Sequence, residues 1–262
     1  MSFETLTYEV TDNVAVITLN RPDGANALNQ PMAEELFQAS IKAEHDPDVR
    51  AVLITATGKM FCAGGDLKHF AEAGEEMPAR LTNTATNLHA AVSHFNRMDA
   101  PVVIAVNGTA AGAGFSLAIC GDYVFASEAA KFTMAYTAAG LSPDGGSTFF
   151  LAQLVGMRKA KELALTNRLL NAEEAFEWGM VNKVVPIEDL LEEAMGLAKK
   201  FAKGPTRSFG VTKRLILDAC TESLETQMEA EGRGIAQSCM TPDGQEGVTA
   251  FLEKRKPNFS GK

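Results

Sequence analysis

The residues of this sequence that could do chemistry lie in three glycine-rich segments, residues 61–67, 107–116 and 140–147. In the first two, small residues leave main-chain N–H groups accessible where a predicted strand passes into a predicted helix, and such turns bind anions. The third segment carries Asp144 in the sequence Pro-Asp-Gly-Gly. Two turns that donate hydrogen bonds and one carboxylate could stabilise a carbonyl oxygen as it becomes negative, while the carboxylate moves a proton.

Each segment also has a purely structural interpretation. Residues 61–67 could form a tight turn with Asp66 as a helix cap, residues 107–116 a glycine-rich packing contact, and residues 143–145 an ordinary turn. Residues 107–116 lack the lysine of a phosphate-binding P-loop and the glycine spacing of a dinucleotide-binding loop. The combination of the three segments, rather than any one of them, therefore predicts carbonyl chemistry.

An α/β core is predicted to position these segments. Nearly continuous apolar runs, typical of strands in a sheet covered on both faces, occur at residues 14–20, 51–55, 102–106 and 123–126. A hairpin is predicted at the start of the chain, and a helix begins at Pro31. The C-terminal part is predicted to be helical at residues 187–202, 206–219, 223–239 and 244–254, after one more strand at 181–185.

Composition narrows the class of protein. The chain has 262 residues and a formal net charge of −9, which argues against nonspecific binding to nucleic acids or anionic membranes. Cys62, Cys120, Cys220 and Cys239 are widely spaced and form no metal-binding pattern, as expected for reduced thiols of a cytoplasmic protein. Residues 100–121 contain no charge, but an Asn-Gly pair interrupts them, which predicts a buried strand, a turn and a buried helix rather than a membrane span.

Five motifs, taken in order, resemble those of the crotonase family, the enoyl-CoA hydratase/isomerase superfamily. They are NRPDGANAL at residues 20–28, FCAGGDL at 61–67, PVVIAVNGTAAGAG at 101–114, GLSPDGGS at 140–147 and FLEKRKPNF at 251–259. The resemblance covers nearly the whole chain. It implies an α/β fold with a spiral core of ββα repeats at residues 1–200 and a helical C-terminal trimerisation region at 201–262. It also implies a homotrimer, or a hexamer formed by two trimers.

The resemblance further implies an acyl-CoA substrate whose thioester oxygen lies between two main-chain N–H groups, those of Gly65 and Ala113. Ala113 replaces the glycine of many relatives, which is tolerable if its φ is negative. The residues implied to contact coenzyme A are Ala25, Ala63, Asp66 and Leu67, together with Phe251 and Lys254 of a neighbouring subunit. No separate cofactor and no metal are implied, because coenzyme A arrives as part of the substrate.

Two departures from the family pattern bear on the reaction. Hydratases of the family position and deprotonate water with two glutamates, and the aligned positions here are Ser116 and Tyr136. A neutral serine or tyrosine is a poor base near pH 7, so ordinary hydratase activity is disfavoured. Asp144 lies in the PDGG context of the double-bond isomerases, including the ring-isomerising enzymes of aerobic phenylacetate breakdown. The resemblance thus implies an isomerase that combines Asp144 with the N–H groups of Gly65 and Ala113.

Two alternatives stay open at this stage. The 4-chlorobenzoyl-CoA dehalogenases have an aspartate nucleophile at the position of Asp144 and a histidine base at that of His89, and residues 155–178 resemble theirs. The aromatic residues that surround the substrate ring in those enzymes are largely missing here, because Gly65, Leu88 and Tyr136 stand where larger aromatic residues are used. His89 also fits as a polar residue on a helix. The second alternative is a non-catalytic protein that binds CoA thioesters and has lost the two glutamates.

Overall fold

The computed structural model describes residues 3–262, so the first two residues of the predicted core lie outside the described part. The chain forms two sheets. The larger sheet has the order β1-β2-β3-β5-β7-β10, in which only β1 and β2 are antiparallel. Its strands are β1 (Leu6–Thr11), β2 (Val14–Leu19), β3 (Ala51–Ala56), β5 (Val102–Val106), β7 (Tyr123–Ser127) and β10 (Lys183–Val185). The predicted opening hairpin and the four predicted strands after it are confirmed.

Both faces of the larger sheet are covered, which explains the nearly continuous apolar runs. On β3, Val52 and Ile54 pack into the main core, while Ala51 and Leu53 pack against helix α7 (Leu190–Ala202) on the other face. The main core is closed by α1 (Gln30–His45) and α3 (Met77–Arg97). A strand that buries both faces needs apolar residues at every position, and that pattern is what made these strands visible in the sequence.

The smaller sheet consists of four very short strands in the order β4-β6-β8-β9. They are β4 (Met60–Cys62), β6 (Thr109–Ala111), β8 (Lys131–Thr133) and β9 (Leu170–Asn171). Three of them directly follow a strand of the larger sheet, and a helix follows each: α2 (Leu67–Ala71), α4 (Ala113–Ile119) and α5 (Ser147–Thr166), the last broken at Gly156. The repeated strand–strand–helix unit is the spiral that the family resemblance implied.

The uncharged segment at residues 100–121 folds as a buried strand, a turn and a buried helix. Every residue of α4 is buried. A Cβ added at Gly114 would lie 2.4 Å from the carbonyl oxygen of Cys62, so the first turn of α4 packs directly on the end of β4. Within residues 3–262, no helix is long and apolar enough to cross a membrane.

The remaining helices complete the C-terminal part. They are α6 (Ala172–Glu177), α8 (Thr206–Asp218), α9 (Leu224–Cys239) and α10 (Pro242–Leu252). The carboxylate of Asp243 holds the chain end, because it accepts hydrogen bonds from the main-chain N–H groups of Ser260 and Gly261 at 2.6 and 2.8 Å.

All four cysteines are free thiols, and two of them, Cys62 and Cys120, are buried.

A partly buried ion pair joins α8 to the larger sheet. The Nζ atom of Lys213 lies 2.6 Å from Oδ2 of Asp122 and donates to the carbonyl oxygens of Phe95 and Ala100. The same Asp122 oxygen accepts from the N–H of Val102 at 2.7 Å. Burial raises the pKa of Asp122 and lowers the pKa of Lys213.

Replacing Lys213 with Met is expected to lower the free energy of unfolding by about 1–3 kcal/mol near pH 7, because it removes a cation and its hydrogen bonds from a partly buried carboxylate. Burial favours the protonated form of Asp122 in the folded state, so stability lost at neutral pH returns as the pH falls through its raised pKa. The deficit measured by urea unfolding should therefore shrink as the pH is lowered from 8 toward the raised pKa of Asp122. The control is Lys199→Met, which breaks the exposed pair with Asp12 and is expected to cost at most about 1 kcal/mol. A Lys213→Met deficit no larger than the control's would contradict this role.

Candidate active site

The first two glycine-rich segments lie side by side because β4 and β6 pair in the smaller sheet. Gly64 and Gly112 both have a positive φ, 102° and 51°. A Cβ on Gly64 would lie 3.0 Å from the carbonyl oxygen of Ala111, and a Cβ on Gly112 would lie 3.3 Å from the Cα of Gly64. The two turns thus touch through their backbones, and side chains at these positions would separate them.

Two main-chain N–H groups at these turns, those of Gly65 and Ala113, donate no hydrogen bond within residues 3–262. Ala113 is the first residue of α4, where the N–H has no acceptor within the helix. Its φ is not positive, so alanine fits without strain. Gly65 precedes Asp66, whose carboxylate caps α2 by accepting from the N–H of His69 at 3.1 Å. Gly65 and Ala113 both line one cavity.

This cavity has a volume of about 360 Å³ and mostly apolar walls. Side chains from α2, α3 and the loop after β8 form much of the wall, among them Leu67, Phe70, Leu81, Ala85, Ala139 and Leu141. Polar groups on the wall come from Thr82, Thr84, Tyr136, Ser142 and Asp144. A site of this kind binds an apolar group and orients it with few polar contacts.

Asp144, from the third segment, lines the same cavity and is half-buried. Its carbonyl oxygen accepts hydrogen bonds from the N–H and Oγ of Ser147 at 3.2 and 2.9 Å, which fixes the turn that begins α5. Gly145 and Gly146 follow with φ of 62° and 75°. A Cβ on Gly145 would lie 2.7 Å from the Cβ of Ser116, so this turn packs tightly on α4.

Ser116 and Tyr136, the two positions without glutamate, contact Asp144 directly. The Tyr136 hydroxyl donates to Oδ1 of Asp144 at 2.6 Å, and the Oγ of the fully buried Ser116 lies 2.8 Å from that hydroxyl. Burial raises the pKa of Tyr136, and the charge of Asp144 raises it further, so the phenol keeps its proton. Sequence reasoning found both residues but missed these contacts, for which the sequence carries no local signal.

The residues implied to contact coenzyme A fall into two places. Ala25, Ala63, Asp66 and Leu67 lie near one another: the N–H of Ala63 donates to the carbonyl oxygen of Ala25, and Ala63 and Leu67 line the cavity. Asp66 pairs with Arg21 at 3.2 Å. By contrast, Phe251, at the end of α10, is 82% exposed, and the exposed Lys254 follows it. Neither of them lines the cavity of its own chain.

His89 does not line the cavity that contains Asp144. Its Nε2 atom accepts a hydrogen bond from the N–H of Gly145 at 3.0 Å, which assigns the ring proton to Nδ1. The ring faces a separate cavity of about 480 Å³ on the other side of the Asp144 turn. His89 therefore supports this turn from behind, and its acceptor nitrogen is already in use. The dehalogenase alternative requires a histidine base beside the substrate. The observed position of His89 disfavours that alternative.

Comparisons with known proteins agree with the geometry. The enoyl-CoA hydratase/isomerase family model matches residues 9–262. The chain is 39% identical to 1,2-epoxyphenylacetyl-CoA isomerase of Escherichia coli over 97% of each chain, and 32% identical to 4-chlorobenzoyl coenzyme A dehalogenase-2 of an Arthrobacter species over 95% of this chain and 91% of that one. A crystal structure of an enoyl-CoA hydratase from a Polaromonas species matches with a TM-score of 0.92 at 33% identity, covering 97% of this chain and 99% of that chain. Proteins named for three different reactions are thus similar to this chain over nearly its full length.

Proposed function

Because the chain belongs to the enoyl-CoA hydratase/isomerase family, we propose that it is an enoyl-CoA double-bond isomerase with Asp144 as its one proton-transferring group. The observation that carries the proposal is that Asp144 lines the same apolar cavity as the free N–H groups of Gly65 and Ala113. The similarity to the Escherichia coli isomerase supports it further. The substrate is a 3-enoyl-CoA or a related ring compound carried as a CoA thioester.

In the proposed mechanism, the thioester oxygen accepts hydrogen bonds from Gly65 and Ala113. Asp144 removes a proton from the carbon next to the thioester, and the two N–H groups stabilise the negative charge that develops on the oxygen. The same carboxyl group then returns the proton two carbons further along, which moves the double bond. The apolar wall keeps water away from the intermediate and strengthens the hydrogen bonds to the oxygen.

The two alternatives predict other outcomes. A dehalogenase would use Asp144 as a nucleophile, and the similarity to the Arthrobacter enzyme favours it. The engagement of His89 with Gly145 weighs against it. A non-catalytic CoA-thioester binder would keep the two donor turns but would not need a carboxylate in the cavity.

The three candidate functions can be distinguished by measuring turnover of four CoA thioesters. These are a 3-enoyl-CoA, the epoxide of phenylacetyl-CoA, 4-chlorobenzoyl-CoA and crotonyl-CoA. We expect isomerisation of one of the first two substrates and no release of chloride from the third. Hydration of crotonyl-CoA should be at least about 100-fold slower than isomerisation, because a protonated tyrosine on the cavity wall and a buried serine that contacts it stand where a second acid–base group would be required. A hydratase assayed alongside provides the positive control. Hydration as fast as isomerisation, or chloride release alone, would contradict the proposal.

We also propose that the chain assembles as a homotrimer or as a pair of trimers. Helices α8, α9 and α10 expose large apolar side chains that are suited to burial against another subunit, among them Ile216, Leu224, Met228, Ile235, Val248 and Leu252. In such an assembly Phe251 and Lys254 would reach the coenzyme A of a neighbouring subunit. Light scattering of the purified chain measures its mass and tests this point.

A further inference from the structure

We propose that Tyr136 is a positioning residue that reserves Oδ1 of Asp144, so that Oδ2 is the oxygen that moves the proton. The catalytic meaning of this inference rests on the proposed function. The observation behind it is the 2.6 Å hydrogen bond from the Tyr136 hydroxyl to Oδ1. Oδ2, in contrast, accepts no hydrogen bond from any residue in the range 3–262.

The direction of the hydrogen bonds follows from counting donors. Tyr136 and Ser116 each have one hydroxyl proton, and the Tyr136 proton is used on Oδ1. The contact between the two hydroxyls, at 2.8 Å, is the shortest that Ser116 makes, and because the Tyr136 proton is already used we assign the proton of this contact to Ser116. Two carbonyl oxygens also lie near Ser116, that of Gly112 at 3.3 Å and that of Asp144 at 2.9 Å, and the second already receives two hydrogen bonds from Ser147. The chain of donors therefore runs from Ser116 to Tyr136 and ends on the carboxylate.

Tyr136 acts on the carboxylate of Asp144, whereas Ser116 also contacts the main-chain carbonyl oxygen of Asp144 at 2.9 Å. The loop is held by other contacts, namely those of Ser147 with the Asp144 carbonyl oxygen and of His89 with the N–H of Gly145. Removing the Tyr136 hydroxyl should therefore leave the backbone in place. It would free the carboxylate to rotate and remove a charge-assisted hydrogen bond that favours its ionised form.

No other ionisable side chain competes for the carboxylate. Tyr136 and Asp144 are the only titratable side chains that line the cavity within residues 3–262. His89 contacts the main chain of Gly145 from the other side of the turn. A changed carboxyl signal in a Tyr136 variant would thus reflect the loss of this one hydrogen bond.

The test compares Tyr136→Phe, Ser116→Ala and the double variant with the wild-type chain. For Tyr136→Phe we expect kcat to fall about 10- to 100-fold, which is the effect of losing one hydrogen bond to a charged group, with KM changed by at most about threefold. Ser116→Ala should lose less, and adding it to Tyr136→Phe should cause little further loss, because Ser116 reaches the carboxylate only through the tyrosine.

Tyr123→Phe is the matched control, because Tyr123 lies on β7 against the ring of Phe125 and outside the cavity; it should behave as wild type. A second readout does not need turnover: the ¹³Cγ resonance of Asp144, assigned by its loss in Asp144→Asn, should move in Tyr136→Phe, which removes the hydrogen bond to Oδ1, and should stay in place in Tyr123→Phe. A wild-type kcat together with an unmoved carboxyl resonance in Tyr136→Phe would overturn the inference. A wild-type chain that isomerises no substrate would remove the proposed function, while the carboxyl resonance would still decide whether Tyr136 holds the carboxylate.

Discussion

Replacing Asp144 with Asn is expected to slow isomerisation of a 3-enoyl-CoA by about 10²- to 10⁴-fold, the range attributed to a general acid–base group. The substitution is nearly isosteric, and its Oδ1 can still accept the hydrogen bond from Tyr136. The amide nitrogen replaces Oδ2 and cannot take a proton from carbon. The variant therefore loses the base while it keeps the shape of the cavity, and steady-state kinetics measures the loss.

Binding should hardly change in this variant. Affinity for a saturated CoA thioester, measured by calorimetry, is expected to stay within several-fold of wild type, because the donor turns at Gly65 and Ala113 are untouched. Asp189→Asn is the matched control, since Asp189 is exposed at the start of α7 and lies outside the cavity. Full turnover by Asp144→Asn would exclude Asp144 from the mechanism.

The sequence predicted the larger sheet well and the smaller one poorly. β3 and β5 bury both faces, so four and five consecutive apolar residues mark them. β4, β6, β8 and β9 are only two or three residues long. Segments that short carry no periodicity of their own, and they become strands because the preceding turn of the spiral offers an edge to pair with. Only the family resemblance predicted the spiral, because local sequence patterns carry no information on which distant segments pair.

The sequence likewise predicted some parts of the candidate site and not others. The three glycine-rich segments could be found because glycine is required where backbones touch, as at Gly64 and Gly112. Nothing in the residue types showed that Tyr136 and Asp144, eight residues apart, would meet at 2.6 Å. The orientation of His89 was equally hidden, because a helix position alone does not show that its ring contacts the N–H of Gly145.

Main-chain donors raise a particular difficulty for any test of the site, because ordinary substitutions leave the N–H in place. Proline is the exception, since it has no N–H, and its ring is best tolerated at the first residue of a helix. Ala113 occupies that position in α4. The preceding residue, Gly112, lacks the Cβ that would clash with the proline ring. The fold therefore offers one position at which an oxyanion donor can be removed with little damage to the helix.

Ala113→Pro is accordingly expected to lower kcat/KM for isomerisation by about 10²- to 10³-fold, the cost of removing one oxyanion donor. Ala113→Gly, which keeps the N–H and also lacks the methyl group, should lose far less activity. Thermal unfolding of both variants checks that α4 still forms. If a folded Ala113→Pro enzyme were as active as Ala113→Gly, this N–H would not stabilise the transition state, and negative charge on the thioester oxygen would have to be stabilised by other groups.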